Sequence, residues 1–508
     1  MEPKSLRGLL ERRAEGAPDK HFLFSEADGR RYTYAEFDRA VNRAGKLLAS
    51  RGIKKGDVVS LLMPNSVEYV TAYFACFKLG ALAGPVNSLL KSHEMAFVIG
   101  NSEAKALLVG SEFLPQVEKI RGGLPDLRDV IVFDDEARAT AEIDDNALLP
   151  RVDIRPDDEA IIIYTSGTTG KPKGCLLTHG NLIANARQIA GWLKFTEADK
   201  LLTVMPLFHM NAVSVTTMAP LYAGGSTVVS PKFSAKRFWR IISDYEITSF
   251  GSVATMLSML LAAYPGGVPE GLKTDQLRFA MCGSAPVPAE VLRKFEETFN
   301  CLVVEGYGLS ESTCRSTFNP PDERRRAGSC GLPIGNEMRV VDDDDNEVPD
   351  GTLGEIVLRG ENILKGYYKN AEATARAFRN GWFHTGDVGY RDPEGFFYIV
   401  DRKSDMIIRG GENIYPREID EVLYQHPAVA AAAVIGVPDT LYGEEVAAFV
   451  VLKEGGTVTE DEIISFCRER LADYKCPKSV RFVKDIPKGP TGKLLKRELA
   501  KQFAGTGR

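Results

Sequence analysis

The stretch Tyr164-Thr165-Ser166-Gly167-Thr168-Thr169-Gly170-Lys171-Pro172-Lys173-Gly174 gathers hydroxyls, lysines and glycines into one short segment. Glycine-rich backbone can bring several N–H groups close to an anion, hydroxyls add donors, and lysines add charge. That combination suits a polyphosphate, ATP above all. The spacing is not that of a P-loop, where G-x-x-x-x-G-K-[ST] opens a helix. Here Pro172 follows Lys171, and an apolar run, Cys175-Leu176-Leu177, comes next. A polar hairpin loop is the plainer reading of any Gly/Ser/Thr segment; it is the order of residues that favours phosphate.

Four further segments carry candidate chemistry. In Glu305-Gly306-Tyr307-Gly308-Leu309-Ser310-Glu311-Ser312 the glycines permit close ligand approach, Tyr307 offers a face for adenine, and Glu311 offers a hard oxygen for Mg²⁺. Gly381-Trp382-Phe383-His384-Thr385-Gly386-Asp387 ends in a carboxylate able to accept from both hydroxyls of a ribose. Asp401-Arg402-Lys403-Ser404-Asp405 reads first as solvated charge, although Arg402 has the donor geometry for phosphate. Pro487-Lys488-Gly489-Pro490-Thr491-Gly492-Lys493 places a lysine where solvated charge is the ordinary reading.

Together, at these distances along the chain, the segments resemble the motifs of the adenylate-forming (AMP-binding) superfamily. Its members include acyl-CoA synthetases, peptide-synthetase adenylation domains and beetle luciferases. The resemblance runs over nearly the whole chain and implies roles residue by residue. Lys493, Glu311 and Thr165 would be catalytic, with Glu311 on the metal. Thr165, Ser166, Gly167, Thr168, Thr169, Gly170, Lys171 and Lys173 would hold ATP phosphates. Gly283, Ser284, Ala285, Glu305, Gly306, Tyr307, Gly308, Ser310, Asp387, Arg402 and Lys493 would complete the nucleotide site. His209, Cys282 and Gly308 would wall the acyl pocket. His209 also has a plain structural reading, as an isolated histidine among apolar residues. Gly410, Gly411 and Glu412 would line the CoA channel. Two departures stand out: Ser310 replaces the family's usual Thr, keeping the hydroxyl, and Ser404 occupies the hinge position usually held by Asp or Lys.

The implied activity is acyl-CoA ligation with ATP, Mg²⁺ and coenzyme A. An acyl-adenylate forms first and CoA then takes the acyl group. Lys232-Phe233-Ser234-Ala235-Lys236-Arg237-Phe238-Trp239 resembles carnitine/crotonobetaine-type CoA ligases and favours a short or medium carboxylate. Alternatives are loading of a carrier protein in trans, oxygenation of the luciferase type, and a catalytically silent nucleotide-binding protein. The last is expected to lack Lys493 or Glu311, and both are present.

The elements that must position these residues alternate. Phe37, Val41, Ala44 and Leu48 form a helical stripe ending near Gly52; 57–63 reads as a strand, Val67 to Leu79 as a helix and 81–86 as a strand. Ala160-Ile161-Ile162-Ile163 reads as a buried strand leading into the phosphate segment. Such alternation implies an α/β fold: a large N-terminal domain of several subdomains with mainly parallel sheets. The boundary falls after Arg402, giving 1–402 and a small, mobile α+β domain, 403–508. In the latter, helices are expected at 416–425, 459–472 and 493–502, and strands at 428–437, 444–453 and 479–486. At 508 residues more than one core is required. A net charge of −6 with intermixed signs gives no reason to propose nucleic acid. The eight cysteines contain no C-x-x-C pair, which fits reduced thiols, and the first residues lack an apolar leader core. Leu201 to Pro231 is uncharged, but Pro206, His209, Asn211 and Pro220 make it a poor membrane span. A cytoplasmic enzyme acting on a small carboxylate and CoA is expected, without an integral membrane segment.

Overall fold

The structure is a computed structural model that describes residues 3–143, 149–165, 172–283, 289–487, 496, 499 and 500. Helix Tyr34–Ser50 starts at a reciprocal cap, in which Thr33 accepts from Glu36 N while the Glu36 carboxylate accepts from Thr33 N. Helix Val67–Leu79 is buried on every side and stops at Gly80, whose φ of 66° is left-handed. Its two charged residues are neutralised in place. Lys78 donates to Asp38 at 2.6 Å, and Glu68 accepts from Arg30 at 2.7 Å.

Two seven-stranded sheets form the bulk of the chain. One runs 302–305, 279–282, 249–252, 200–203, 226–229, 21–25 and 31–33, parallel except for the last pair. The other runs 366–367, 173–178, 159–165, 82–85, 58–62, 106–109 and 129–132, and is parallel from 159–165 onward. One core of buried apolar side chains joins the two sheets, and a second packs the sheet holding 58–62 against helices Ser92–Asn101 and Leu114–Arg121. Residues 337–402 add an antiparallel five-stranded sheet. The mainly parallel α/β architecture matches the expectation.

Beyond Arg402 the chain enters a separate five-stranded sheet with its own core, built on Val429–Asp439, Gly443–Leu452 and helices Pro416–Tyr424 and Glu460–Arg468. The helix expected over 459–472 stops at Arg468, and the strand expected over 479–486 stops at Phe482. The helix expected over 493–502 falls almost wholly outside the described residues. Among the described residues, no helix is long and apolar enough to cross a membrane. The uncharged stretch instead folds as a buried strand, a π-helical turn over Asn211–Met218 and a short helix. Thr217 Oγ1 closes that turn on Ala212 O at 2.9 Å.

Phe238 and Trp239, on helix Ala235–Asp244, are almost fully buried; Phe238 meets Phe250 edge-on and Trp239 packs tilted against Phe299. Two of the aromatics in the stretch 232–239 are therefore core residues.

Candidate active site

A cleft of about 600 Å³ lies among the hairpin 159–178, the Tyr307–Glu311 turn, the residues before the π-helical turn, and strand Trp382–Arg391. Sheet register accounts for much of what meets there. Strands Glu159–Thr165 and Lys173–Thr178 pair antiparallel, with Thr165 opposite Lys173, so both ends of the phosphate segment face the cleft. Ser166, Gly167, Thr168, Thr169, Gly170 and Lys171 lie outside the described residues. So do Ser284, Ala285 and Lys493.

The same logic fixes Asp387 against Arg402, which are direct partners in an antiparallel pair. Arg402 Nε lies 3.1 Å from Asp387 Oδ1, and the Tyr307 hydroxyl donates to Asp387 Oδ2 at 2.6 Å. Burial and the Asp387 charge hold the Tyr307 phenol well above its ordinary range, so it stays a donor. One carboxylate thus organises the aromatic of the second motif and the arginine of the fourth.

Glu311 lines the cleft, with Ser310 beside it, and its Oε1 accepts from the Tyr367 hydroxyl at 3.1 Å. Lys173 Nζ sits 5.2 Å from the Tyr367 ring centroid. A hydroxyl, an ammonium and a carboxylate therefore share one wall. A hard divalent cation fits this donor set: Glu311 retains free lone pairs and Thr165 supplies a further oxygen.

Gly306 and Gly308 are also demanded by the packing of the chain on itself. A Cβ on Gly308 would stand 1.9 Å from Cys314 O, and one on Gly306 would stand 2.5 Å from the Phe318 ring. Glu305, just before them, is buried and pairs across the sheet with Cys282. Its Oε2 accepts from Gly328 N at 3.1 Å, and burial pushes the carboxyl up to about 7.

His209 lines the cleft, and burial pushes its imidazole down to about 4, which leaves it neutral. Cys282 is fully buried and its thiol is pushed up to about 12 by burial, a poor nucleophile. Gly283 adjoins it; a Cβ there would meet Arg315 Nη1 at 2.4 Å. Ser404 lies at the rim, while Gly410, Gly411 and Glu412 form an exposed turn in the C-terminal sheet.

The motifs left out Tyr367, Glu355 and Arg315, all of which line the cleft. Glu355 accepts from Gly386 N at 3.1 Å and lies 3.4 Å from His384 Nδ1. Only Arg315 had a sequence signal, as a lone cation four residues after Glu311 in a stretch of small polar residues.

Residues 10–368 match the family described as AMP-binding enzyme, and residues 418–493 match the AMP-binding enzyme C-terminal domain. The chain is 36% identical to the sulfoacetate–CoA ligase of Cupriavidus necator, over 97% of each chain. It is 37% identical to a long-chain-fatty-acid–CoA ligase of Mycobacterium tuberculosis, over 99% of each. Its fold superimposes on ATP-bound MatB from Rhodopseudomonas palustris with a TM-score of 0.90 at 31% identity, covering 98% of this chain and 99% of that one.

Proposed function

The chain belongs to the AMP-binding enzyme family, and from that premise we propose that it is an ATP-dependent acyl-CoA ligase for a short or medium carboxylate. The observation that carries this reading is the meeting on one cleft of Thr165 and Lys173, the Glu311 carboxylate and Arg402 paired with Asp387. These are groups for phosphate, for a cation and for ribose.

A carboxylate resists attack by a thiol because its leaving group would be oxide. Attack of the acid on the α-phosphorus of ATP, with loss of pyrophosphate, converts that oxygen into part of an AMP leaving group. The CoA thiol then displaces AMP. In this reading Thr165, Lys173 and the segment Ser166–Lys171 hold the phosphates. Gly283, Ser284, Ala285, Glu305, Gly306, Tyr307 and Gly308 shape the adenine side, and Ser310 adds a phosphate donor. Asp387 accepts from the ribose hydroxyls, held in place by Tyr307 and Arg402. Mg²⁺ on Glu311 would offset charge developing on the phosphates. Lys493 donates to the same charge during adenylation.

We place the division between domains at 402/403, with Ser404 as hinge. Strand Phe397–Arg402 belongs to one sheet and Ile407–Arg409 to the next, so residues 403–406 form the connection. Rotation there would withdraw Lys493 and bring Gly410, Gly411 and Glu412 to the pantetheine arm of CoA.

The two relatives are named for acids of very different length. His209, Asn211 and Arg315 make part of the cleft wall polar, which disfavours a long alkyl chain. The test is incubation with ATP, Mg²⁺, CoA and a panel of carboxylates, measuring AMP and acyl-CoA. Acid-dependent AMP with acyl-CoA supports the reading. AMP formed only when a carrier protein is supplied would replace it with carrier loading.

A further inference from the structure

Arg315 lies between the Tyr307–Glu311 turn and strand Thr317–Phe318, and only 1% of its surface is exposed. Its backbone is gripped by Asn185, which donates to Arg315 O at 2.7 Å and accepts from Arg315 N at 3.3 Å. The side chain donates once, from Nη1 to Gly306 O at 3.2 Å, and lies over the Phe318 ring at 5.3 Å. Among the described residues, Nε and Nη2 are buried with no hydrogen-bond partner and Arg315 forms no ion pair. Lys78, equally buried, is paired with Asp38 and Asn42. A buried cation is costly unless paired, so Arg315 is out of keeping with the rest of the protein.

Its neighbours on the cleft wall share the deficit. Among the described residues, Asn211 has neither Nδ2 nor Oδ1 partnered, and His209 Nε2 is unpartnered too. A strut tying Gly306 to the Phe318 segment would account for Nη1. It would not account for two guanidinium donors and an amide on one cleft that lack partners among the described residues.

We propose that Arg315 is the counter-ion for a second anionic group on the acyl substrate, which therefore carries a further carboxylate or sulfonate besides the carboxylate that is activated. This rests on the acyl-CoA ligase reading and narrows its substrate class. A planar guanidinium matches a carboxylate or sulfonate with parallel donors. Asn211 Nδ2 adds an uncharged donor, and His209, neutral as argued above, adds no charge. A monoacid of equal length would leave the guanidinium unpaired, and such a site rejects the analogue that lacks the polar group.

The experiment compares kcat/KM, from AMP formation with CoA present, for malonate, succinate and sulfoacetate against propionate and butyrate. It uses the wild type, Arg315→Met and Arg315→Lys. The wild type should prefer the doubly charged acids. Arg315→Met should lower the ratio of doubly to singly charged acids by roughly 100-fold, chiefly through KM, and Arg315→Lys should recover part of it. The KM for ATP in each variant reports whether the nucleotide side has survived. An equal fall for both classes would make Arg315 a strut and overturn the proposal, as would a wild type that prefers monoacids. No acid-dependent AMP from any acid would overturn the ligase reading and this proposal with it.

Discussion

Glu305 offers a measurement that separates burial from catalysis. Its carboxyl is pushed up to about 7 from an ordinary 4.5 by burial, against the opposing pull of the Gly328 N–H and the Arg325 and Arg417 charges. The folded protein therefore binds a proton here across a window in which the unfolded chain does not. The group's contribution to stability is fully present below about pH 4.5, falls as pH rises towards 7, and is flat above. At about 1.4 kcal/mol for each factor of ten in proton affinity, the loss is roughly 3 kcal/mol. Glu305→Gln keeps the shape and the acceptor for Gly328 N but never ionises. Relative to wild type it should therefore gain stability between pH 5 and pH 8.5. For a large domain of this size the gain corresponds to about 3–4 °C in melting temperature. The assay is thermal unfolding of both proteins in matched buffers, read as the difference at each pH. Neighbouring groups such as Glu296 and Arg325 are common to both and largely cancel. A difference that stays flat with pH, or falls as pH rises, would refute the argument.

Other perturbations address the chemistry. Tyr307→Phe removes the 2.6 Å hydrogen bond to Asp387 and should raise the KM for ATP by roughly 10-fold; an unchanged KM would mean that Asp387 is held adequately by Arg402. Glu311→Gln should depress pyrophosphate release sharply, with partial recovery at raised Mg²⁺, and wild-type activity would move the cation site elsewhere. Lys493→Ala should abolish adenylation while sparing thioester formation from pre-made acyl-adenylate, and an equal fall in both half-reactions would remove its assigned role. Ser404→Pro should show the reverse pattern. The Ser404 N–H has no hydrogen-bond partner among the described residues, so proline acts there through its fixed φ. Unimpaired thioester formation would put the pivot elsewhere.

Much of this was legible in the sequence because it rests on local rules. The stripe Phe37, Val41, Ala44 and Leu48, the helix Val67 to Leu79 and the apolar run Ala160–Ile163 each announce an element within a few residues. The proximity of Asp387 and Arg402 was implied by resemblance but is produced by strand register, which local pattern does not state. Arg315 and Tyr367 escaped for the same reason. Their importance lies in partners, or in their lack, across elements far apart in the chain. At Gly306 and Gly308 the residue type was legible, but the packing contacts with Phe318 and Cys314 were not. Phe238 and Trp239, part of the stretch whose resemblance favoured a short or medium carboxylate, lie in the core.

One feature of the connection bears on how the enzyme turns over. Asp401 accepts from Arg417 N at 3.0 Å, so it serves as the cap of helix Pro416–Tyr424, and the Arg417 guanidinium donates to Ile399 O. Asp401 and Ile399 lie before Ser404, and Arg417 lies after it. Any swing about Ser404 must pull these two contacts apart and strip the helix of its cap before new contacts can form. If the domain does swing there, the joint would behave as a detent: the domain would rest in a notch, resist small displacements, and move only once a threshold is passed. Turnover would then alternate between discrete poses, with dwell times set by a latch at the helix end and not by the length or looseness of the linker.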